Sequence, residues 1–382
     1  MKDTSAPDLR NLIAACAAIT VFGLSFGMTY PLLSLLLELR GVPSNIIGLN
    51  AAMMPLGILV CSPLIPGLSA RIGARNLAIL AAILSAVFTL LYKTHDSLAF
   101  WFVLRFFQGM SIVVLFVLSE AWVVGYAGDQ HRGKIVAFYA SVLSASFGAG
   151  PALIGVIGVE GWTPFVLGSI VLLVGITPLF WLRLQPDDAA ETESHTSLLA
   201  FMPKAPMLIA AVGCFSIFDA ATLSLLPVYG VRNGLSVSTA SWTLAALILG
   251  NMFLQLPIGW LADKYSPRNV LNGCAAITVV MCLLVPYVIN TVWMWPVLII
   301  AGAAGYGVYT TALKSLGDRF SGQELISGTA AFGAIWGVGA LFGSILGGTA
   351  LEASTIFGLP ILLAAVYAAL VMGLLVKPQS QA

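Results

Sequence analysis

The chain has 382 residues, 59% of them hydrophobic and only 9% charged, with a formal net charge of +1. A soluble domain carries about 25% charged residues, so a water-soluble globule is excluded, and with no basic stripe to neutralise phosphates there is no case for a nucleic-acid partner. The apolar residues fall in runs of about 20, the length that crosses a ~30 Å hydrocarbon layer at ~1.5 Å per residue.

Runs bounded by charges and turn signals predict twelve spans, at about 11–38, 46–69, 76–93, 98–125, 135–157, 162–182, 206–230, 237–261, 269–289, 293–317, 325–348 and 354–376. The first run is too long for a signal-peptide core and lacks a small-residue cleavage site, so it is expected to stay as a helix. An even number of spans puts both termini on one side, and the basic loop residues choose that side. Lys2, Arg10, Arg71, Arg75, Arg132, Lys134, Arg183, Lys204, Lys264, Arg268, Arg319 and Lys377 fall with the termini, against Arg40, Lys93 and Arg232 on the other face. Both termini are therefore expected in the cytoplasm, with the chain a multi-pass protein of the inner (plasma) membrane.

The one long polar stretch, residues 185–204, divides six spans from six and is acidic, as a solvated linker is. The expected organisation is an N-terminal six-helix bundle (1–184), the linker (185–204) and a C-terminal six-helix bundle (205–382). A single shift of 193 residues carries Gly41 onto Gly234, the loop residues Arg71, Arg75 and Asn76 onto Lys264, Arg268 and Asn269, Gly109 onto Gly302, and Gly150 and Gly155 onto Gly343 and Gly348. One constant offset is the mark of a duplicated unit. The predicted fold class is an all-α polytopic membrane protein of twelve transmembrane helices in two pseudo-symmetric bundles, an arrangement used by transporters whose site lies near the midplane.

Several short patterns fall at corresponding places of the repeat. The loop after span eight reads Gly259-Trp-Leu-Ala-Asp263-Lys264-Tyr-Ser-Pro-Arg268, and its N-terminal counterpart keeps Arg71, Gly73 and Arg75 but has Ala70 at the aspartate position. Span four carries Arg105-Phe-Phe-Gln108-Gly109, and span five carries Gly150-Pro151 and then Gly155. These strings resemble the G-x-L-A-D-R-x-G-R-R loop, the R-x-x-Q-G motif and, in part, the glycine-proline kink found mainly in antiporters of the major facilitator superfamily. Within that family the chain resembles the YcaD-like transporters. The resemblance covers the whole chain and implies a transporter that works as a monomer, with a small-molecule solute, protons and the lipid bilayer as partners and no cofactor or metal. It also implies a cytoplasmic gate built from Arg71, Gly73, Arg75, Glu120, Gly259, Asp263, Lys264 and Arg268. In such a gate a carboxylate at a span end meets a helix N-terminus while arginines hold neighbouring acids.

An ionisable side chain within hydrocarbon is a functional-site hypothesis by default, and the spans hold Arg105, Glu120, Asp219 and Lys314. Asp219 stands roughly 20 Å from one end of span seven and Arg105 roughly 10 Å from the opposite end of span four, at nearly coincident depths. Asp219 is expected to be the proton-coupling carboxylate, discharging when Arg105 approaches; the alternative makes Arg105 a hydrogen-bond anchor between N-half helices and Asp219 a neutral packing acid. Glu120, about 22 Å along the helix from Arg105, is expected to accept Arg71 or Arg75. Lys314 either snorkels to the interface or, as a cavity-facing cation, attracts an anionic solute or bridges to Glu120. Met28, Tyr30, Met110, Asn251, Gln255, Tyr306 and Tyr309 are candidates, with Lys314, for an amphipathic cavity, and Met252 is a further one; helix packing explains such residues equally well. The glycine-dense span eleven is expected to approach span two closely. Cys16, Cys61, Cys214, Cys274 and Cys282 fall inside spans and read as reduced packing residues.

These parts predict a secondary transporter working by alternating access, as a proton-coupled antiporter exporting a small organic or amphipathic solute, or alternatively as a proton-coupled importer of a metabolite. A non-transporting sensor or scaffold is the minor alternative. No nucleotide-binding G-x-x-x-x-G-K-[ST] string occurs, no H-E-x-x-H or G-x-S-x-G occurs, and His95, His131 and His195 lie in loops, so neither a primary pump nor an enzyme is expected.

Overall fold

A computed structural model of the chain describes residues 9–126, 132–181 and 201–376. In hydrocarbon the backbone must satisfy its own polar groups, and a helix does so within one segment. Among the described residues there are twelve helices long and apolar enough to cross a membrane, and no strand. They are α1 (Leu9–Leu39), α2 (Ser44–Ile72), α3 (Ala74–Leu91), α4 (Leu98–Tyr126), α5 (Arg132–Ile157), α6 (Thr163–Trp181), α7 (Pro206–Arg232), α8 (Val237–Lys264), α9 (Pro267–Val288), α10 (Met294–Arg319), α11 (Gly322–Ala353) and α12 (Gly358–Val376). Of the expected linker, 185–200 lies outside the described residues, and Met202–Lys204 is a single 3₁₀ turn leading into α7.

The helices end where the chain supplies a stop. After α1, Gly41 takes φ +72°, its N–H bonds to Glu38 O (2.8 Å) and the Val42 N–H to Leu37 O (3.0 Å). After α7, Gly234 takes φ +92°, with Gly234 N–H to Val231 O (3.0 Å) and Leu235 N–H to Gly230 O (3.0 Å). Both are Schellman closures, in which a left-handed glycine lets two amides cap the last carbonyls, and they stand one repeat apart. The α8 start is capped by Ser236, whose side chain accepts the Thr239 N–H at 3.1 Å.

The chain forms two compact units, Met1–Leu32 with Met53–Ser194 and Leu33–Ala52 with His195–Ala382. In the first, α3 packs against α4 and α6; in the second, the main pairings are α7 with α11, α8 with α10, and α9 with α10 and α12. Glycines set the closest crossings. A Cβ at Gly57 would collide with Phe106 O and one at Gly109 with Met54 O; a Cβ at Gly250 would collide with Ile299 O and one at Gly302 with Leu247 O. Every member of the second set is the first set moved by one repeat. Small residues admit such backbone approach where no hydrophobic force drives helices together. At a third crossing the partners exchange sides: Gly23 of α1 faces Ser146 of α5, and Ser216 of α7 faces Gly339 of α11.

The segment 33–52 belongs with the second unit for a visible reason. A Cβ on Gly48 of α2 would strike Ser344 O of α11, and a Cβ on Gly348 would strike Ser44 O. Two small-x-x-x-small pairs, Ser44/Gly48 and Ser344/Gly348, thus cross backbone on backbone, as the glycine density of span eleven leads one to expect.

Candidate functional site

Asp219 is the fourteenth of the 27 residues of α7 and only 4% exposed. The Tyr306 hydroxyl of α10 donates to its Oδ1 (2.7 Å), and the Trp336 indole N–H of α11 donates to its Oδ2 (3.1 Å). Among the described residues it makes no ion pair. Tyr306 was legible as a candidate; Trp336 was not. The signal it offered was chemical: an indole N–H inside hydrocarbon needs an acceptor, and Asp219 is a rare one.

From Tyr306 a polar seam follows α10 at four-residue intervals, so that its members share one face. Thr310 bonds back to Tyr306 O (3.4 Å) and receives the amide N–H of Gln255 from α8. One turn further, Lys314 bonds Asp318 Oδ2 (2.8 Å) and pairs with Asp263 Oδ1 (3.4 Å). The α8 side of the seam repeats the interval, with Asn251, Gln255, Gly259 and Asp263. Lys314 therefore meets the carboxylate of the Gly259–Arg268 loop, a contact absent from the sequence expectations. Tyr309 lies beside this seam, its ring 4.8 Å from Phe215 and 6.5 Å from Phe332.

The first unit carries a different network. Arg105 of α4 is fully buried; its Nη2 donates to Tyr30 O of α1 (3.3 Å), and its guanidinium lies 5.3 Å from the centre of the Tyr30 ring. Gln108, also fully buried, accepts the Tyr92 hydroxyl (2.8 Å) and donates to Thr89 Oγ1 (3.3 Å), joining α4 to α3. Tyr92 packs edge-on to Trp101 at 5.6 Å. These are the anchoring contacts of the alternative set out for Arg105, and with Gly109 at the α2 crossing they make the Arg105-x-x-Gln108-Gly109 string a packing unit. Met28 fills the space over Gly168, where a Cβ would strike its terminal methyl, and Met110 borders the Gly57 crossing. Gly150 admits the backbone of Gly27 and Met28, and Pro151 follows it within α5, with Gly155 buried one turn on.

Of the expected gate, Gly73 is the left-handed hinge between α2 and α3 (φ +84°). Arg268 donates to Leu374 O at the end of α12, and Lys264 lies 5.0 Å over the Trp260 ring. Arg71 is exposed and Arg75 half-buried. Among the described residues Glu120 forms no ion pair, so its expected pairing with Arg71 or Arg75 is not made here, and it stands exposed on α4.

A second ionic cluster lies at the opposite helix ends. Arg232, closing α7, bonds Glu38 of α1 through Nε (2.9 Å) and Glu352 of α11 through Nη1 (3.2 Å), while Glu352 Oε2 also accepts the Ser44 N–H at the start of α2 (2.7 Å). One guanidinium thus ties three helix ends, and its second carboxylate caps the N-terminus of a fourth helix, where negative charge is favoured. None of Glu38, Arg232 or Glu352 stood out in the sequence, because each sits at a span end where a charge is ordinary.

The profile of the Major Facilitator Superfamily matches residues 15–307 and 208–382. The chain belongs to the Major Facilitator Superfamily. The MFS-type transporter YfkF of Bacillus subtilis (strain 168) is 27% identical over 379 residues, covering 95% of this chain and 94% of its own length. The MFS-type transporter YcaD of Escherichia fergusonii is 25% identical over 338 residues, 87% of each chain. Among solved structures, the fold is similar to that of the D-xylose-proton symporter, with a TM-score of 0.77 at 15% identity over 97% of this chain and 98% of that one. This chain is accordingly a multi-pass membrane transporter of the superfamily, with the YcaD-like character its motifs led one to expect.

Proposed function

We propose that this transporter moves a small organic solute across the plasma membrane by alternating access, exchanging it for protons in the direction of export, with both termini in the cytoplasm. The observation that carries the reading is Asp219. It is a carboxylate in mid-span whose two oxygens accept from the neutral donors Tyr306 and Trp336, and among the described residues no cation pairs with it to fix its charge. Such a group can be held protonated or ionised, which is what coupling to protons requires. Arg105 serves this cycle by fixing α4 against α1, the elements that must move as one body. Exchange rather than symport is supported by the partial Gly150-Pro151 pattern of α5.

Alternating access needs a closure at each end. The Glu38–Arg232–Glu352 cluster with the Ser44/Gly48 and Ser344/Gly348 crossing supports a closure at the end away from the termini, and Asp263 with Lys314 supports one at the other. The test is proton movement in proteoliposomes with an acidified lumen and a pH-sensitive dye, screened against metabolites and antimicrobials. A solute that releases protons from the lumen with the wild type and not with Asp219→Asn is the expected result; equal release from that variant, or flux driven only by the opposite gradient, sinks the antiport reading.

A further inference from the structure

The seam beside Asp219 has a polarity that selects its solute. Count what each group has left to give. Tyr306 and Trp336 spend their donors on Asp219, and Gln255 spends an amide N–H on Thr310. Lys314, at the end of the seam, is matched by both Asp263 and Asp318. On the acceptor side the count runs the other way. The Gln255 Oε1 and Asn251 Oδ1 atoms, one turn apart on α8, are buried and accept no hydrogen bond from the described residues. Each oxygen of Asp219 receives one donor and keeps further accepting capacity.

A buried acceptor left without a donor forfeits the hydrogen bond it had in water, so two on one helix face mark a place where donors arrive from elsewhere. Aromatic rings stand on the same flank, with Phe215 5.4 Å from Tyr306 and 4.8 Å from Tyr309. An anion entering here meets acceptors and a carboxylate. An ammonium meets acceptors, a counter-charge and ring faces that attract cations.

We infer that the solute of this seam is an organic amine bearing an aromatic or other apolar body, its ammonium hydrogens going to Asp219, Gln255 and Asn251. This rests on taking the Asp219 seam as the transport site, and it turns the sequence expectation for Lys314 around, since a lysine held by two aspartates does not recruit an anion. The test uses matched probes of nearly equal size: benzylammonium, benzyl alcohol and benzoate, and the three naphthylmethyl equivalents, added to the purified full chain while its Tm is followed. Both ammonium compounds are expected to raise the Tm with saturation, the alcohols weakly, the carboxylates not at all. Gln255→Leu and Asn251→Leu are expected to weaken the ammonium response about tenfold each, and Asp219→Asn to remove it.

Carboxylates that stabilise as well as the amines, alcohols that match them, or no response to either ammonium compound would overturn the inference without any variant being needed. The two readings fail separately. Saturable amine binding without proton exchange removes the antiport reading and leaves the amine site; proton exchange with an anionic solute that depends on Asp219 does the reverse.

Discussion

Gly57 and Gly109 in the first unit and Gly250 and Gly302 in the second stand at the same crossings one repeat apart, each against a backbone carbonyl. The polar residues at matching places do not agree. Thr89, Tyr92, Arg105 and Gln108, the hydrogen-bonded core of the first unit, correspond to Cys282, Val285, Leu298 and Ala301, which line a small apolar pocket in the second. In return Asp219, Tyr306 and Trp336 correspond to Phe26, Val113 and Leu143. Helix crossing is therefore a constraint that both copies retain, because backbone collision leaves no alternative. Polar chemistry is free to settle in one copy, and here the two copies differ at these matching places: the first holds an anchor buried from solvent, the second an acid served by half-buried partners.

The largest effect should come from breaking what the units share. Valine at Gly109 or at Gly302 would drive a branched side chain into Met54 O or Leu247 O, a strain upwards of ~3 kcal/mol. Both variants are expected to yield no monodisperse protein by size-exclusion chromatography. Normal behaviour of either would mean that its crossing is looser than its counterpart, and the structural equivalence of the units would be lost. Next come the partners that only the second unit has. Tyr306→Phe and Trp336→Phe each remove one donor to Asp219, a bond of about 1.5–3 kcal/mol where the acceptor is charged. Solute-driven proton release is expected to fall by roughly tenfold or more in each, and loss of only one response would show that a single donor serves Asp219.

The sequence made much of this plain and hid the rest for physical reasons. Twelve spans, the duplicated unit and the span-two to span-eleven approach were legible because hydropathy, a fixed offset and glycine density are properties of the chain itself. Asp219 was legible because an acid in a span is rare. Trp336 and Thr310 were not, since an indole or a hydroxyl in a helix is unremarkable until its neighbour is known. Arg105 was found but its place between two expectations was not: span depth gives height in the membrane and says nothing about azimuth, and it is azimuth that turns Arg105 toward Tyr30. The same limit applied to Glu120, whose expected pairing with Arg71 or Arg75 rested on height alone.

A graft probes the anchor more gently. Arg105→Leu, which installs the residue of the matching position, is expected to lower stability by about 1–3 kcal/mol through the lost bond and stacking on Tyr30. Making Thr89→Cys, Tyr92→Val and Gln108→Ala in the same chain should restore part of that loss, since groups in one network couple by about 0.5–3 kcal/mol. The readout is the Tm of the single, triple and quadruple variants. Strict additivity would mean that the four residues are neighbours without being a network.

The smallest effects belong to the ion pairs, and here the two ends of the second unit differ. Arg232 and Glu38 are 17% and 14% exposed, whereas Asp263 opposite Lys314 is 71% exposed. A pair removed from water is screened less by salt, and a pair in water contributes little because solvent competes for both partners. Arg232→Gln is expected to lower the Tm by an amount corresponding to about 1 kcal/mol and to make added salt raise the Tm of the variant, because Glu38 and Glu352 then repel each other without the cation between them and salt screens that repulsion. Asp263→Asn is expected to change stability by no more than ~0.5 kcal/mol, since Lys314 keeps Asp318 at 2.8 Å. If Asp263→Asn nevertheless slows solute-driven proton release several-fold at unchanged Tm, the acid contributes to the moving gate rather than to the resting fold. Ala70→Asp in the matching loop of the first unit, where that acid is missing, should then alter the rate as well. A rate change from the second substitution without one from the first would mean that the loops do not act as equivalent gates.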